Sequence, residues 1–119
     1  TILIEACNSN NIEMVKYLIK NNTDINKADN IGNTPLIIAS RNGFFDIIEY
    51  LVKHGADVNM SNNKKDTPLL IACENMHYQI VKYFLKQKCN INMCNIYGCT
   101  PLILAYRNKW LDIVEILIK

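Results

Sequence analysis

Thr34-Pro35-Leu36 reads "TPL", and the same three residues return at Thr67-Pro68-Leu69 and Thr100-Pro101-Leu102. The interval is 33 residues each time, with nothing inserted or lost. One interval earlier stands Thr1-Ile2-Leu3, the same phrase without its proline, so the period covers all 119 residues. Other positions keep the register: Ala6, Ala39, Ala72 and Ala105; Lys20, Lys53, Lys86 and Lys119; Asn26, Asn59 and Asn92. Self-similarity at a fixed period marks a stacked array, in which each unit covers a neighbour that could not bury its own apolar face.

One unit can be read from residue 34 onward. Thr34 suits an N-cap, and Pro35 at the first helical position loses an N–H that had no partner there anyway. Leu36 to Ser40 predicts a short helix, apolar nearly all round, that must be covered on several sides. The alanine that recurs in it marks a place where backbone meets backbone. Gly43 ends that helix. A second follows, with Ile47, Ile48, Tyr50, Leu51 and Val52 apolar and Asp46, Glu49 and Lys53 forming a charged outer stripe. Gly55 suits a left-handed C′ position. Ala56 to Asn59 reads as extended, leading into a polar turn over Ser61 to Asp66. The unit is helix, turn, helix and a projecting turn.

Composition narrows function. Half the residues are hydrophobic and 20% are charged, which suits one domain with a sizeable core. A formal charge of +2 gives no strong field for nucleic acid or an anionic membrane. No apolar run approaches the roughly 20 residues that span a bilayer. Asn and Ile number 17 and 18, while Arg occurs twice against 11 Lys, a bias typical of AT-rich coding. Five cysteines, an odd count, argue against a closed disulfide framework. Cys89, Cys94 and Cys99 are spaced five apart, which is not the pairing of a structural zinc site, and His54 and His77 do not complete one. No metal and no cofactor is expected. Reduced thiols point to an intracellular, cytoplasmic protein, in a host cell if the source is a parasite, symbiont or virus.

The 33-residue period with its T-P-L phrase resembles the ankyrin repeat. Asp29 to Asn59, "DNIGNTPLIIASRNGFFDIIEYLVKHGADVN", looks like one complete repeat. Tetratricopeptide repeats differ in period and in their Trp, Leu-Gly and Tyr landmarks. The resemblance implies an all-α ankyrin-repeat solenoid, stacked helix-turn-helix units with projecting β-turn or hairpin loops. Its repeats would run over residues 1–28, 29–61, 62–94 and 95–119, in a single domain cut from a longer protein.

The chain departs from that pattern at several places. The histidine that usually follows T-P-L is aliphatic throughout, at Ile4, Ile37, Leu70 and Ile103. Gly43 is replaced by Asn10, Met76 and Lys109, and the last two should either bear a backbone strain near 1 kcal/mol or shift the turn. The projecting turn has Gly32 and Gly98 but Lys65 in the third unit, so that turn is expected to be irregular. His77 falls where the family often carries a structural histidine. Glu5 stands where Ile38, Ile71 and Leu104 are apolar, which marks the first unit as a true cap, since burying an unpaired carboxylate is prohibitive. The fourth unit has no such substitution, and further repeats are expected after it.

No nucleophile, base and orienter converge in this pattern, and no phosphate loop or metal-binding helix occurs, so no catalytic residue and no enzymatic activity are expected. Stacking instead aligns the projecting turns and first helices into one concave face whose side chains the core does not dictate. By the resemblance, the partner-binding positions there are Asn8 and Ser9 in the first unit, then Asn30, Ile31, Asn33, Arg41 and Asn42. The third unit contributes Asn63, Lys64, Asp66, Glu74 and Asn75, and the fourth Ile96, Tyr97, Cys99, Arg107 and Asn108. The implied role is a monomeric scaffold module binding another protein. The alternative is a spacer in a longer solenoid, or the recognition arm of a larger enzyme or adaptor. Asn26, Asn59 and Asn92 read as structural, holding adjacent turns in register.

Overall fold

The computed structural model describes residues 1–119 as eight helices and no strand. They fall into four pairs: α1 (Ile2–Asn8) with α2 (Ile12–Lys20), α3 (Pro35–Asn42) with α4 (Phe45–Lys53), α5 (Pro68–Glu74) with α6 (Tyr78–Leu85), and α7 (Pro101–Arg107) with α8 (Leu111–Ile118). Each first helix opens on its threonine. The Oγ1 atoms of Thr1, Thr34, Thr67 and Thr100 accept from the amides of Ile4, Ile37, Leu70 and Ile103 at 3.1–3.2 Å. These caps satisfy amides that no helical carbonyl can reach.

The pairs stack in chain order, α1 on α3, α3 on α5 and α5 on α7. Four units along a 41 Å long axis give about 10 Å per unit, the spacing of packed helices. Ala39, Ala72 and Ala105 are fully buried and Ala6 nearly so. Leu36, Ile37, Leu69 and Leu70 beside them are 0–2% exposed, so two of the aliphatic residues that replace the family's histidine, Ile37 and Leu70, pack fully in the core.

The same alanines close the turn between paired helices. Their carbonyls accept from the amides of Asn11, Phe44, His77 and Trp110 at 2.9–3.1 Å. A bond reaching five residues forward needs a left-handed residue just before the donor. That residue is Asn10, Gly43, Met76 or Lys109, with φ of 56°, 76°, 60° and 62°. Met76 and Lys109 therefore do not shift the turn; they adopt the strained backbone because this bond and the packing on both sides demand it. Only Gly43 also meets a steric limit, since a Cβ there would come within 2.7 Å of the His77 ring. That ring is structural, with Nε2 at 2.8 Å from the Arg41 carbonyl oxygen of the preceding repeat.

Two expectations need correction. Ala56 to Asn59 is not extended throughout: Val58 and Asn59 form a turn, because the Asp57 carboxylate takes the Asn59 amide at 2.9 Å. The third projecting turn is not irregular either. Lys65, at φ 62°, donates its amide to the Asn62 carbonyl at 2.9 Å, as Gly32 does to Asp29 and Gly98 to Asn95 at 3.0 Å. A side chain, not a glycine, shapes that turn.

Glu5 is exposed, whereas Ile38, Ile71 and Leu104 at its register are 5–7% exposed. Two of the three asparagines bridge units as expected: Asn26 Oδ1 accepts from the Asp57 amide at 2.9 Å, and Asn59 Oδ1 from the Asn90 amide at 2.7 Å. All five thiols are free. Burial pushes Cys7 up to about 12, and burial, then the nearby Glu74, does the same to Cys73.

Three measurements check this packing. Ala72→Leu overfills the α3–α5–α7 contact and should cost about 1–3 kcal/mol in denaturant unfolding, with no loss if the alanines were not at the helix interface. Asn59→Ala strands the Asn90 amide and should lower stability by about 1 kcal/mol; an unchanged melting temperature would deny the bridge its role. A thiol reagent at pH 8 should label Cys94 first, and Cys7 and Cys73 only after unfolding, because thiolates react and these two stay protonated and enclosed.

Candidate functional site

Three tips line one edge of the stack, each built by a single side chain. Asp29 Oδ1 accepts from the amides of Ile31 and Asn33 at 3.0 and 2.9 Å. Asn62 Oδ1 does the same for Lys64 and Asp66 at 2.9 and 3.0 Å, and Asn95 Oδ1 for Tyr97 and Cys99 at 3.0 and 3.1 Å. Such Asx turns fold a tip without help from its third residue, which is why Lys65 is accommodated.

The other end of each asparagine reaches back one repeat. Asn62 Nδ2 donates to Asn33 Oδ1 at 2.9 Å, and Asn95 Nδ2 to Asp66 Oδ1 at 2.9 Å and Glu74 Oε1 at 3.2 Å. Backbone bonds join the tips as well, from the Asn63 amide to the Ile31 carbonyl and from the Ile96 amide to that of Lys64. Asn62 and Asn95 were not among the residues expected at the site, yet they position it. The signal was present, since Asp29, Asn62 and Asn95 share one register.

Between the tips of the second and third units, those of Asp29 and Asn62, lies a cleft of about 350 Å³. It gathers eight of the expected residues: Ile31, Asn33, Arg41, Asn63, Lys64, Asp66, Glu74 and Asn75. Two of these are not free. Asn33 and Asp66 are 1% and 4% exposed and are held by Asn62 and Asn95, so their side chains secure the cleft from beneath. Ile71 also lines it, buried beside Ile38 in the first-helix stack.

The rim carries charge that the chain itself does not neutralise. Its one ion pair is Lys53–Glu49, far from the cleft in register, which leaves Arg41, Lys64 and Glu74 without a partner charge within 4.0 Å. Partial burial, and then the neighbouring Asp66, raises the Glu74 carboxyl above the usual range, with Lys64 opposing. An acid so placed gains from a donor brought to it.

The remaining expected residues lie outside the cleft. Asn30 sits exposed at the tip of the second unit. Asn42 is tied to Asn8 Oδ1 at 2.9 Å and Asn108 to the Cys73 carbonyl at 2.9 Å, both across unit boundaries. Ser9 bonds its own helix through the Glu5 carbonyl. On the tip of the fourth unit Ile96 and Tyr97 are 55% and 68% exposed, and Arg107 Nη1 lies 3.6 Å from Cys99 Sγ. No three of the His, Cys, Asp and Glu side chains converge as metal ligands would, and no helix is long and apolar enough to cross a membrane.

No curated protein matches the chain. The family model described as ankyrin repeats (3 copies) matches it twice, over residues 1–62 and 55–119. Repeats of this family generally serve as protein–protein interaction modules and are typically non-catalytic. Period, caps, tips and family match agree: the chain belongs to the ankyrin-repeat family.

Proposed function

We propose that the chain is a non-catalytic, monomeric module that binds another protein through its concave face, with the line of tips from Ile31 to Tyr97 as the contact edge. The observation that carries this reading is the exposure of three large apolar side chains on folded tips. Ile31, Ile96 and Tyr97 are 55–68% exposed, although their turns are shaped by Asx bonds that need no apolar residue. A spacer would carry polar tips there. Beside them, Arg41, Lys64 and Glu74 offer unpaired charge around a cleft large enough to seat a side chain or a short loop.

Energetically, the centre of the contact falls on the fourth unit, at Ile96, Tyr97 and Arg107. Tyrosine and arginine combine contact area with directional hydrogen bonding, and binding energy concentrates in such residues. Arg41 and Arg107, the two arginines of the chain, share one register, both exposed at the ends of first helices. A guanidinium meets a carboxylate or an aromatic ring with a planar fork, where lysine offers a point charge. Five unpaired thiols suit a reducing, intracellular compartment.

The test is affinity capture of partners with the wild-type domain, followed by titration of the captured protein against variants. Tyr97→Ala and Arg107→Ala should each weaken binding by about 1–2 kcal/mol with little change in melting temperature. Normal binding by well-folded variants would place the contact elsewhere, and loss of folding would show these residues to be packing.

A further inference from the structure

We propose that the outer stripe of α6, with Phe45 of α4 beside it, is a second docking surface whose occupant is an acidic helical segment of another protein, bearing one large apolar side chain. This surface shares no residue with the cleft between the tips and stands apart from the reading above.

Three of the four second helices carry carboxylates: Glu13 on α2, Asp46 and Glu49 on α4, Asp112 and Glu115 on α8. At the registers of Asp46 and Glu49, α6 has Gln79 and Lys82, and it contains no acid. Lys86 follows one turn later, so this is the one second helix whose outer charges are all positive. Acids on both neighbours are already engaged. Glu49 pairs with Lys53 at 3.9 Å, and Asp112 accepts from the Tyr78 hydroxyl and feels Lys82 only at longer range. Lys82 and Lys86 thus have no carboxylate within 4.0 Å, and the Lys82 ammonium lies 5.4 Å from the centre of the Tyr78 ring.

Shape accompanies the charge. Gln79, Lys82, Tyr83 and Lys86 recur at i, i+3, i+4 and i+7 and so form one stripe. Together with Phe45 they line a hollow of about 370 Å³. A second hollow of about 430 Å³ shares Phe45 and Gln79 and runs on to His77 and Tyr78. Phe45 stays 39% exposed, its ring edge-on to that of Tyr83 with centroids 5.2 Å apart. A ring held in this way offers contact area at little ordering cost. Lys82 and Lys86 stand one helical turn apart, about 6 Å between Cβ atoms, so two carboxylates one turn apart on a helix can meet both. An apolar side chain beside those carboxylates then falls on Phe45 and Tyr83. The acids of α4 and α8 on either flank oppose a broad polyanion such as nucleic acid or an anionic membrane, whereas a narrow acidic ridge fits between them.

The experiment uses the 119-residue chain and a fluorescently labelled helical peptide with glutamates four residues apart and one phenylalanine on the same face. Anisotropy should show saturable binding that weakens as salt is added. The same peptide with lysine for glutamate, or serine for phenylalanine, should not bind. Gln79→Asp with Lys82→Glu gives α6 the acids that α4 carries at these registers, so the melting temperature should hold while affinity falls at least about tenfold. Phe45→Ser alone should weaken binding by a similar factor, and it decides the matter if the double variant is unstable. Absence of binding, equal binding of the glutamate and lysine peptides, or unchanged affinity in well-folded variants overturns the proposal. So does tighter binding of an RNA oligonucleotide or of phosphatidylserine vesicles that the same substitutions abolish, since the face would then recognise phosphate.

Discussion

Everything in this fold depends on how closely consecutive first helices approach. A methyl group at residues 6, 39, 72 and 105 lets the helices of neighbouring repeats come within about 10 Å, and three of the four alanines are wholly enclosed as a result. The same residues receive the hydrogen bond that turns the chain into the second helix. One position thus sets both the spacing between repeats and the hairpin within each. This double demand explains why Met76 and Lys109 accept left-handed backbone angles that glycine would take without strain. The bond to the alanine carbonyl fixes the conformation, and the side chain at the turn follows it.

Spacing set by the core is then passed to the surface by asparagine. A tip folded on its own Asx oxygen, with the amide of the same side chain tied to the repeat before, cannot swing independently of its neighbour. The candidate contact edge is therefore pre-organised, which lowers the ordering cost that binding would otherwise carry. The side chains of residues such as Ile31, Lys64 and Tyr97 ride on this frame without contributing to it. That separation of frame from display is what lets an array of similar units recognise dissimilar partners.

Much of this was legible in the chain. The period, the Thr-Pro starts and the alanines determine helices, stacking and core, because each reflects a local demand repeated four times. What single-unit reading could not see is the pairing of Asn62 and Asn95 with the unit before. Asn33 and Asp66 read as display positions, yet both are buried acceptors for an asparagine 29 residues further on. The tip containing Lys65 reads as irregular only while glycine is taken to be the shaping residue; Asn62, three residues earlier, does that work. Glu5 was readable for the opposite reason, since an unpaired carboxylate at an otherwise apolar register must stay in water, and Glu5 is exposed.

If the stack is held by nearest-neighbour contacts, stability must differ along it in a set order. Native-state amide hydrogen exchange, resolved helix by helix, measures this most directly. The helices covered on both sides, α3 and α5, should exchange slowest, led by the amides around Ala39 and Ala72. Helix α8, with one buried residue and its outward face open, should exchange fastest of the second helices. Equal protection across all eight helices, or an α8 as slow as α5, would contradict the account.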